Sequence, residues 1–449
     1  MSYFVYNLLL TLLHPFVLVY QAQRYLSGKS RSGWRERNGH LPAAMIWTPQ
    51  SRPRVWIHAV SAGEVVAAVP ILRELKARLP DHDLFLSVIT PAGHEIAEQQ
   101  ALPYISHLFY APFDLSWVVR SVVKDINPAA YISLESELWP NLLHSLKAHG
   151  VATMMVNGRI SDRSFRRIMF IGRPLFRWML GNMDLIMVQS DADARRFRAL
   201  APEGQCKRIS VLGNSKFDQE IQPLNAAAVR ALRNSLLIPE TAPVFVAGST
   251  RSTEEESEVI AAYSLLSKQF PDLCLVVAPR QIERSAGVVN SMQHAGLIPV
   301  LKTKIDDAVP PVRHLILDTM GELANIYAVA TFAFVGNSFD PVVKGGGQNL
   351  LQPLAHGKPV LFGPRIATIR SEAELVLECG VGFQVANGAE LAEMASVLLK
   401  DKNLVQRIET DALALIAANK GVSARYAENV VKACHNDRIS LNGSANSAG

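Results

Sequence analysis

Acidic side chains at the ends of apolar runs are the first residues in this chain equipped for chemistry. In R-V-W-I-H-A-V-S-A-G-E-V-V-A-A-V-P, from Arg54 to Pro70, Val55–Val60 reads as a short buried strand. Ser61, Ala62 and Gly63 make a small-residue turn, and Glu64 then opens an apolar helix running towards Leu79. This puts a carboxylate at the carboxyl end of a strand, the edge where open α/β sheets bind ligands. A first-turn acid that only complements the helix macrodipole is the alternative. Y-I-S-L-E-S-E-L-W-P-N, Tyr131 to Asn141, adds Glu135 and Glu137, which share a face in extended chain before Pro140 starts a helix. Two carboxylates beside a sheet's carboxyl edge are hard to justify as packing; a solvated pair of loop acids is the other reading.

The second half offers groups for an anion. V-F-V-A-G-S-T-R leads through Gly248, Ser249 and Thr250 to an acidic helix start at Glu254–Glu256, where free amides and hydroxyls can hold a phosphate or merely cap the helix. L-V-V-A-P-R ends in Pro279 and Arg280, a guanidinium placed to clamp a phosphate or carboxylate. Gly345 to Gly347 precede a helix beginning near Asn349, which allows backbone to approach a ligand; Asn349 with Gln352 also fits a capping pattern. Three such strand ends in one domain point to a nucleotide. No P-loop, GxGxxG or HExxH motif occurs.

These groups need strands and helices to position them. Strand-like runs at Val55–Val60, Leu84–Thr90, Ala130–Leu134, Ala152–Val156 and Leu185–Val188 alternate with helical stretches. A second series follows at Val244–Ala247, Leu273–Ala278, Leu315–Asp318, Thr331–Val335 and Pro359–Phe362. Alternation of this kind predicts parallel sheets wrapped by helices. Two series separated by the stretch from Asp218 to Glu240 predict two doubly wound domains facing one another, and 449 residues suit two domains of about 200 each.

The termini and composition add a setting. Tyr3–Tyr20 is mostly apolar and is followed by Arg24, Lys29, Arg31, Arg35 and Arg37, without a small-residue cleavage site. This predicts a retained anchor over residues 1–22, spanning or lying in the surface, with the rest of the chain cytoplasmic. Arg163, Arg166, Arg167, Arg173 and Arg177 lie among Phe165, Ile168, Met169, Phe170, Leu175 and Phe176, which suits an anionic lipid face. Net charge is +5, with no aromatic-interleaved basic stripe for nucleic acid. Cys206, Cys274, Cys379 and Cys434 form no CxxC pair, so a reducing compartment and no structural zinc are expected. The tail 436–449 is polar and small, and disorder is expected there.

H-A-V-S-A-G-E, L-E-S-E-L-W-P-N, V-N-G-R-I-S, G-N-S-K-F-D, D-T-M-G-E-L and G-G-Q-N-L-L, taken together and in this order, resemble the bacterial 3-deoxy-D-manno-octulosonic acid (Kdo) transferases over almost the whole chain. The resemblance implies a GT-B fold: two facing Rossmann-like α/β domains, 33–222 for the acceptor and 223–435 for the nucleotide sugar, plus the N-terminal membrane helix. It implies transfer of Kdo from CMP-Kdo to a lipid A precursor at the cytoplasmic face of the inner membrane, with no catalytic metal or other cofactor. By the same resemblance Glu64 is the general base, Glu137 orders the site, and Lys216 offsets charge on the departing phosphate. Pro279, Arg280, Met320, Gly321, Glu322, Asn349 and Gln352 would hold CMP, beside the Ser249, Thr250 and Gly347 backbone. A helix N-terminus lowers a carboxylate's basicity, so Glu64 is expected to act through acceptor positioning rather than a high pKa.

The chain departs from the family's commonest pattern on the donor side: Gln348 stands where His is usual and Gln352 where Glu is usual, while Arg251 and Gln281 follow G-S-T and P-R in place of His. A neutral Gln352 is a weaker partner for ribose hydroxyls. Two alternatives stay open, a membrane-associated GT-B transferase with another nucleotide sugar, and a scaffold whose donor pocket has degraded.

Overall fold

The computed structural model describes residues 3–13, 23, 32–219, 221, 223–339 and 346–445, and side chains only before residue 435. The chain divides into two units, Met1–Gln219 with Asn419–Gly449, and Glu220–Ala418.

The first unit is built on β1 (Arg54–His58), β2 (Asp83–Val88), β3 (His107–Tyr110), β4 (Ala130–Leu134), β5 (Ala152–Gly158), β6 (Leu185–Val188) and β7 (Ile209–Val211). They form one parallel sheet in the order β3-β2-β1-β4-β5-β6-β7. Strand order reverses between β1 and β4, which pair in register through His58 and Ser133. The strands read as continuous apolar runs because both faces are covered. Val55 and Ile57 pack with Val65, Ala68 and Leu72 of the helix Ala62–Arg78 on one face. Trp56, Phe85 and Tyr131 pack with Val119, Leu142 and Phe197 on the other.

The second unit repeats the plan with β8 (Val244–Thr250), β9 (Cys274–Pro279), β10 (Val300–Leu301), β11 (His314–Ile316), β12 (Phe332–Val335), β13 (Val360–Phe362) and β14 (Gly382–Gln384). The order is β10-β11-β9-β8-β12-β13-β14, again parallel throughout, with the reversal between β8 and β12.

Two sequence expectations change. The C-terminal segment does not stay with the second unit, as a 223–435 domain requires: from Asn419 it returns to the first. The helix Val422–Ala445 buries Val422, Tyr426, Ala427 and Val430 in the core around the helix Ala62–Arg78. Asp218 secures that return by accepting from Gly421 N and Ser423 N at 2.6 and 2.5 Å, satisfying amides at the start of the helix. The same helix extends to Ala445, into the 436–449 tail expected to be disordered, because it continues a segment already anchored by packing; residues 446–449 lie outside the described ones. At the other end residues 3–13 are helical, residues 14–22 of the expected anchor lie outside the described residues, and no helix among the described residues is long and apolar enough to cross a membrane.

Candidate active site

In the first unit the acids gather where the strand order reverses, the ligand-binding edge of such sheets. Small residues let the chain turn tightly after β1: Ser61 is extended (φ −121°) and the helix begins at Ala62. Glu64, in its first turn, is only 8% exposed. Its Oε2 accepts from Val60 N at 2.8 Å and its Oε1 from Ser61 Oγ at 3.0 Å, so the carboxylate folds back over the turn. A Cβ added at Gly63 would meet nothing within 4 Å, so the turn beside Glu64 stays open.

Burial, then the charge of Glu135, then that of Glu137 push the Glu64 carboxyl up to about 8, against the two hydrogen bonds it accepts. The sequence expectation of a weakly basic Glu64 is therefore corrected: desolvation and like charges outweigh the first-turn position. Glu137 is likewise raised, by burial and then Glu135.

Glu135 and Glu137 follow β4. Glu135 adopts φ 53°, a left-handed conformation that costs a non-glycine residue on the order of 1–3 kcal/mol and marks functional sites. Its N–H donates to Val156 O at 3.0 Å, while Ser133 Oγ donates to Glu137 O at 2.6 Å, so both ends of the E-S-E turn are held.

Lys216 lies on the short 3-10 turn Ser215–Asp218. Ser215 Oγ donates to Ala67 O at 2.9 Å, one turn beyond Glu64, which ties this motif to the helix carrying the acid. Asn157, fully buried at the end of β5 with φ 55°, accepts from Ser215 N at 3.1 Å. The structure thus gathers the V-N-G and N-S-K-F-D motifs around the H-A-V-S-A-G-E helix. Sequence spacing gave no sign that Asn157 and Asp218 were framework residues.

In the second unit the ends of β8 and β12 are tied together by Glu255, which is fully buried. Its carboxylate accepts from Arg251, Asn337, Ser338 and Phe339 N–H at 2.8–3.2 Å. Part of the acid-rich helix start is therefore structural. Thr250 is also fully buried, and its hydroxyl donates to Glu256 Oε1 at 3.3 Å, while Arg284 pairs with Glu256 at 2.8 Å. Ser249 remains half-buried with φ 59°. Gly248 has no room for a side chain, since a Cβ would sit 1.9 Å from the Tyr327 hydroxyl.

Arg280 is exposed just past buried Pro279, its N–H donating to Thr250 O at 2.8 Å. Met320 is 66% exposed beside Gly321 (φ 83°), and Thr319 Oγ1 donates to Glu322 Oε2. Gly347 (φ 90°) donates to Asn337 O at 2.8 Å, Asn349 Oδ1 accepts from Leu351 N at 2.9 Å, and Gln352 is half-buried in the helix Leu351–Leu354. Gly345 lies outside the described residues. Ser249 thus lies at the end of β8, Arg280 directly follows β9, and Asn349 comes after β12, three strands of one sheet.

Two parallel seven-stranded sheets, each reversing its strand order and carrying polar groups at its carboxyl edge, define an α/β protein of GT-B-like fold. The same fold is found in HepE of Anabaena, solved with UDP and glucose (14% identity, TM-score 0.57, covering 85% of this chain and 99% of that one). It is also found in the UDP-GlcNAc 2-epimerase of Neisseria meningitidis (11% identity, TM-score 0.58, covering 85% and 100%). The family model for 3-deoxy-D-manno-octulosonic-acid transferase (kdotransferase) matches residues 32–219. The 3-deoxy-D-manno-octulosonic acid transferase of Chlamydia muridarum is 31% identical, covering 84% of each chain, and that of Haemophilus influenzae is 29% identical, covering 94% of this chain and 96% of its own. The chain belongs to the Kdo transferase family of glycosyltransferases.

Proposed function

We propose that this Kdo transferase works by inverting displacement, with Glu64 as the general base. Kdo passes from CMP-Kdo to a lipid A precursor, a step of lipopolysaccharide biosynthesis. The Glu64 carboxylate takes the proton of the acceptor's sugar hydroxyl as that oxygen bonds to the anomeric carbon, and the bond from that carbon to the CMP phosphate breaks. The observation that carries this reading is the state of Glu64: buried, oriented by Val60 N and Ser61 Oγ, and basic near pH 8. Glu137 orders the acceptor side, and Lys216 offsets the charge that develops on the departing phosphate.

On the donor side Arg280, Met320, Gly321, Glu322, Asn349 and Gln352 hold CMP, with Pro279, Ser249 and Gly347 shaping the backbone. Thr250, buried and bonded to Glu256, acts by fixing the end of β8. No metal or other cofactor is assigned to the reaction. The enzyme works at the cytoplasmic face of the inner membrane, where the apolar face of residues 3–13 meets lipid; Phe4, Leu9 and Leu12 there are 70%, 52% and 63% exposed.

Purified protein incubated with CMP-Kdo and a lipid A precursor should yield a product heavier by whole Kdo residues. In a thermal-shift titration CMP should raise the melting temperature where UDP and GDP do not. Stabilisation by UDP or GDP instead would point to another donor, and no transfer despite CMP binding would point to a degraded enzyme.

A further inference from the structure

The helix of residues 3–13 has two faces. Tyr3, Tyr6, Asn7 and Leu10 are half-buried, a spacing that forms one helical stripe, while Phe4, Val5, Leu8, Leu9, Leu12 and Leu13 are 44–70% exposed. The docked stripe is specific. Tyr3 stacks on His144 and Trp178, with ring centroids 4.3 and 4.9 Å apart, and Tyr6 Oη donates to Asp114 Oδ2 at 2.9 Å.

Asp114 is half-buried, and desolvation raises its carboxyl even against three hydrogen bonds. Two of these come from the helix Pro140–Ala148, whose own cap residue, Trp139, supplies no side-chain bond. Asn141 N and Leu142 N donate to the two carboxylate oxygens at 3.0 and 2.8 Å, and Asn141 Nδ2 donates to Asp114 O at 2.7 Å. Asp114 therefore caps this helix from a distant part of the chain. The segment immediately before that helix is Glu135–Trp139, which bears the two acids nearest in charge to Glu64.

We propose that Tyr6 and Asp114 are positioning residues, a relay through which seating of the first helix orders the Glu135–Glu137 turn. Neither touches substrate. Tyr6 holds the Asp114 carboxylate in its capping orientation, Asp114 fixes the start of the helix Pro140–Ala148, and Ser133 holds the other end of the turn through Glu137 O. A lipid surface that takes up the exposed stripe leaves the docked stripe in place, so adhesion and active-site order are served by opposite faces of one helix. The inference rests on the reading of Glu64 and Glu137 given above.

The test uses the full chain with phosphatidylglycerol-containing vesicles. Tyr6→Phe keeps the ring and the apolar stripe but removes the hydroxyl. Vesicle binding should be unchanged, kcat for Kdo transfer should fall about three- to tenfold, as loss of one hydrogen bond implies, and KM for CMP-Kdo should stay within twofold. Amides of Asn141 and Leu142 should exchange with solvent faster than in the parent. Asp114→Asn should lose at least as much, and the double variant should be no worse than Asp114→Asn alone. A kcat within twofold of the parent, unchanged exchange at Asn141 and Leu142, or additive losses would overturn the relay. The exchange measurement decides even if Asp114→Asn does not fold, and it is independent of whether the chain transfers Kdo, which the unmodified protein reports.

Discussion

Glu64 and Glu135 lie just beyond two neighbouring parallel strands, and the charge of Glu135 strengthens the hold of Glu64 on its proton. Burial is the larger cause, Glu135 the next, and together they bring a side chain of ordinary value 4.5 to about 8. A carboxylate at that value is matched to proton abstraction near neutral pH, whereas an ordinary glutamate would be too weak a base. The left-handed backbone at Glu135 is the strain that accompanies this placement.

The rate should follow that proton. Glu64 must be ionised to act, so kcat/KM should rise with pH and level off above about 8. Glu135→Gln removes a like charge and should move the rising limb to lower pH, while Glu137→Gln should move it less. Full pH profiles for the three proteins check this; identical limbs would remove Glu135 from the account. Glu64→Gln should lower kcat by about 10²–10⁴-fold with little change in CMP affinity.

Stability should respond with the opposite sense. The folded Glu64 binds its proton more tightly than the unfolded one, so its contribution is complete below pH 4.5 and is lost as pH rises through about 8. Thermal melts of Glu64→Gln and the parent should therefore diverge between pH 5 and 8.5, the variant gaining on the order of 5 °C relative to the parent. His58, fully buried and lowered to about 4 by desolvation, acts at the acid end: its contribution is present above pH 6.5 and lost as pH falls through 4. His58→Gln should flatten that acid arm.

Donor and leaving-group roles separate in kinetics. Arg280→Ala should raise KM for CMP-Kdo about 10- to 100-fold, the range for a lost charge-assisted hydrogen bond. Lys216→Met should lower kcat more than it changes KM, because its charge is needed as the phosphate departs. Steady-state rates with varied CMP-Kdo distinguish the two, and equal effects on KM would refute the division.

The second sheet depends on a carboxylate that touches no ligand in this account. Glu255→Ala leaves four backbone N–H groups without their acceptor and should destabilise the second unit by about 3 kcal/mol or more, read by urea denaturation. Gly248→Ala should be comparably damaging, because its methyl would collide with Tyr327.

The central strands of both sheets were legible in the chain because a strand buried on both faces must be apolar throughout. The four strands that went unread, β3, β7, β10 and β14, are the four sheet edges. They are short, as β10 (Val300–Leu301) and β7 (Ile209–Val211) illustrate, and an edge is covered on one side only, so it carries little of the apolar signal. Likewise, Glu64, Glu135 and Glu137 could be found from their places at strand ends, since that depends on local order alone.

Tertiary structure alone decided what those acids are worth and what holds them. Sequence proximity to a helix start argued for a weak base at Glu64, and desolvation together with Glu135, 71 residues further on, reversed it. Asp114 capping a helix at Pro140, Glu255 gathering amides from the segment after β12 and Asp218 capping the helix at Val422 are long-range contacts between polar residues with no periodicity. The sequence by itself determined which segments form the sheets and which acids stand at their ends, because local apolar patterning carries that information; burial and long-range partners, which set charge and position, exist only once the chain has folded.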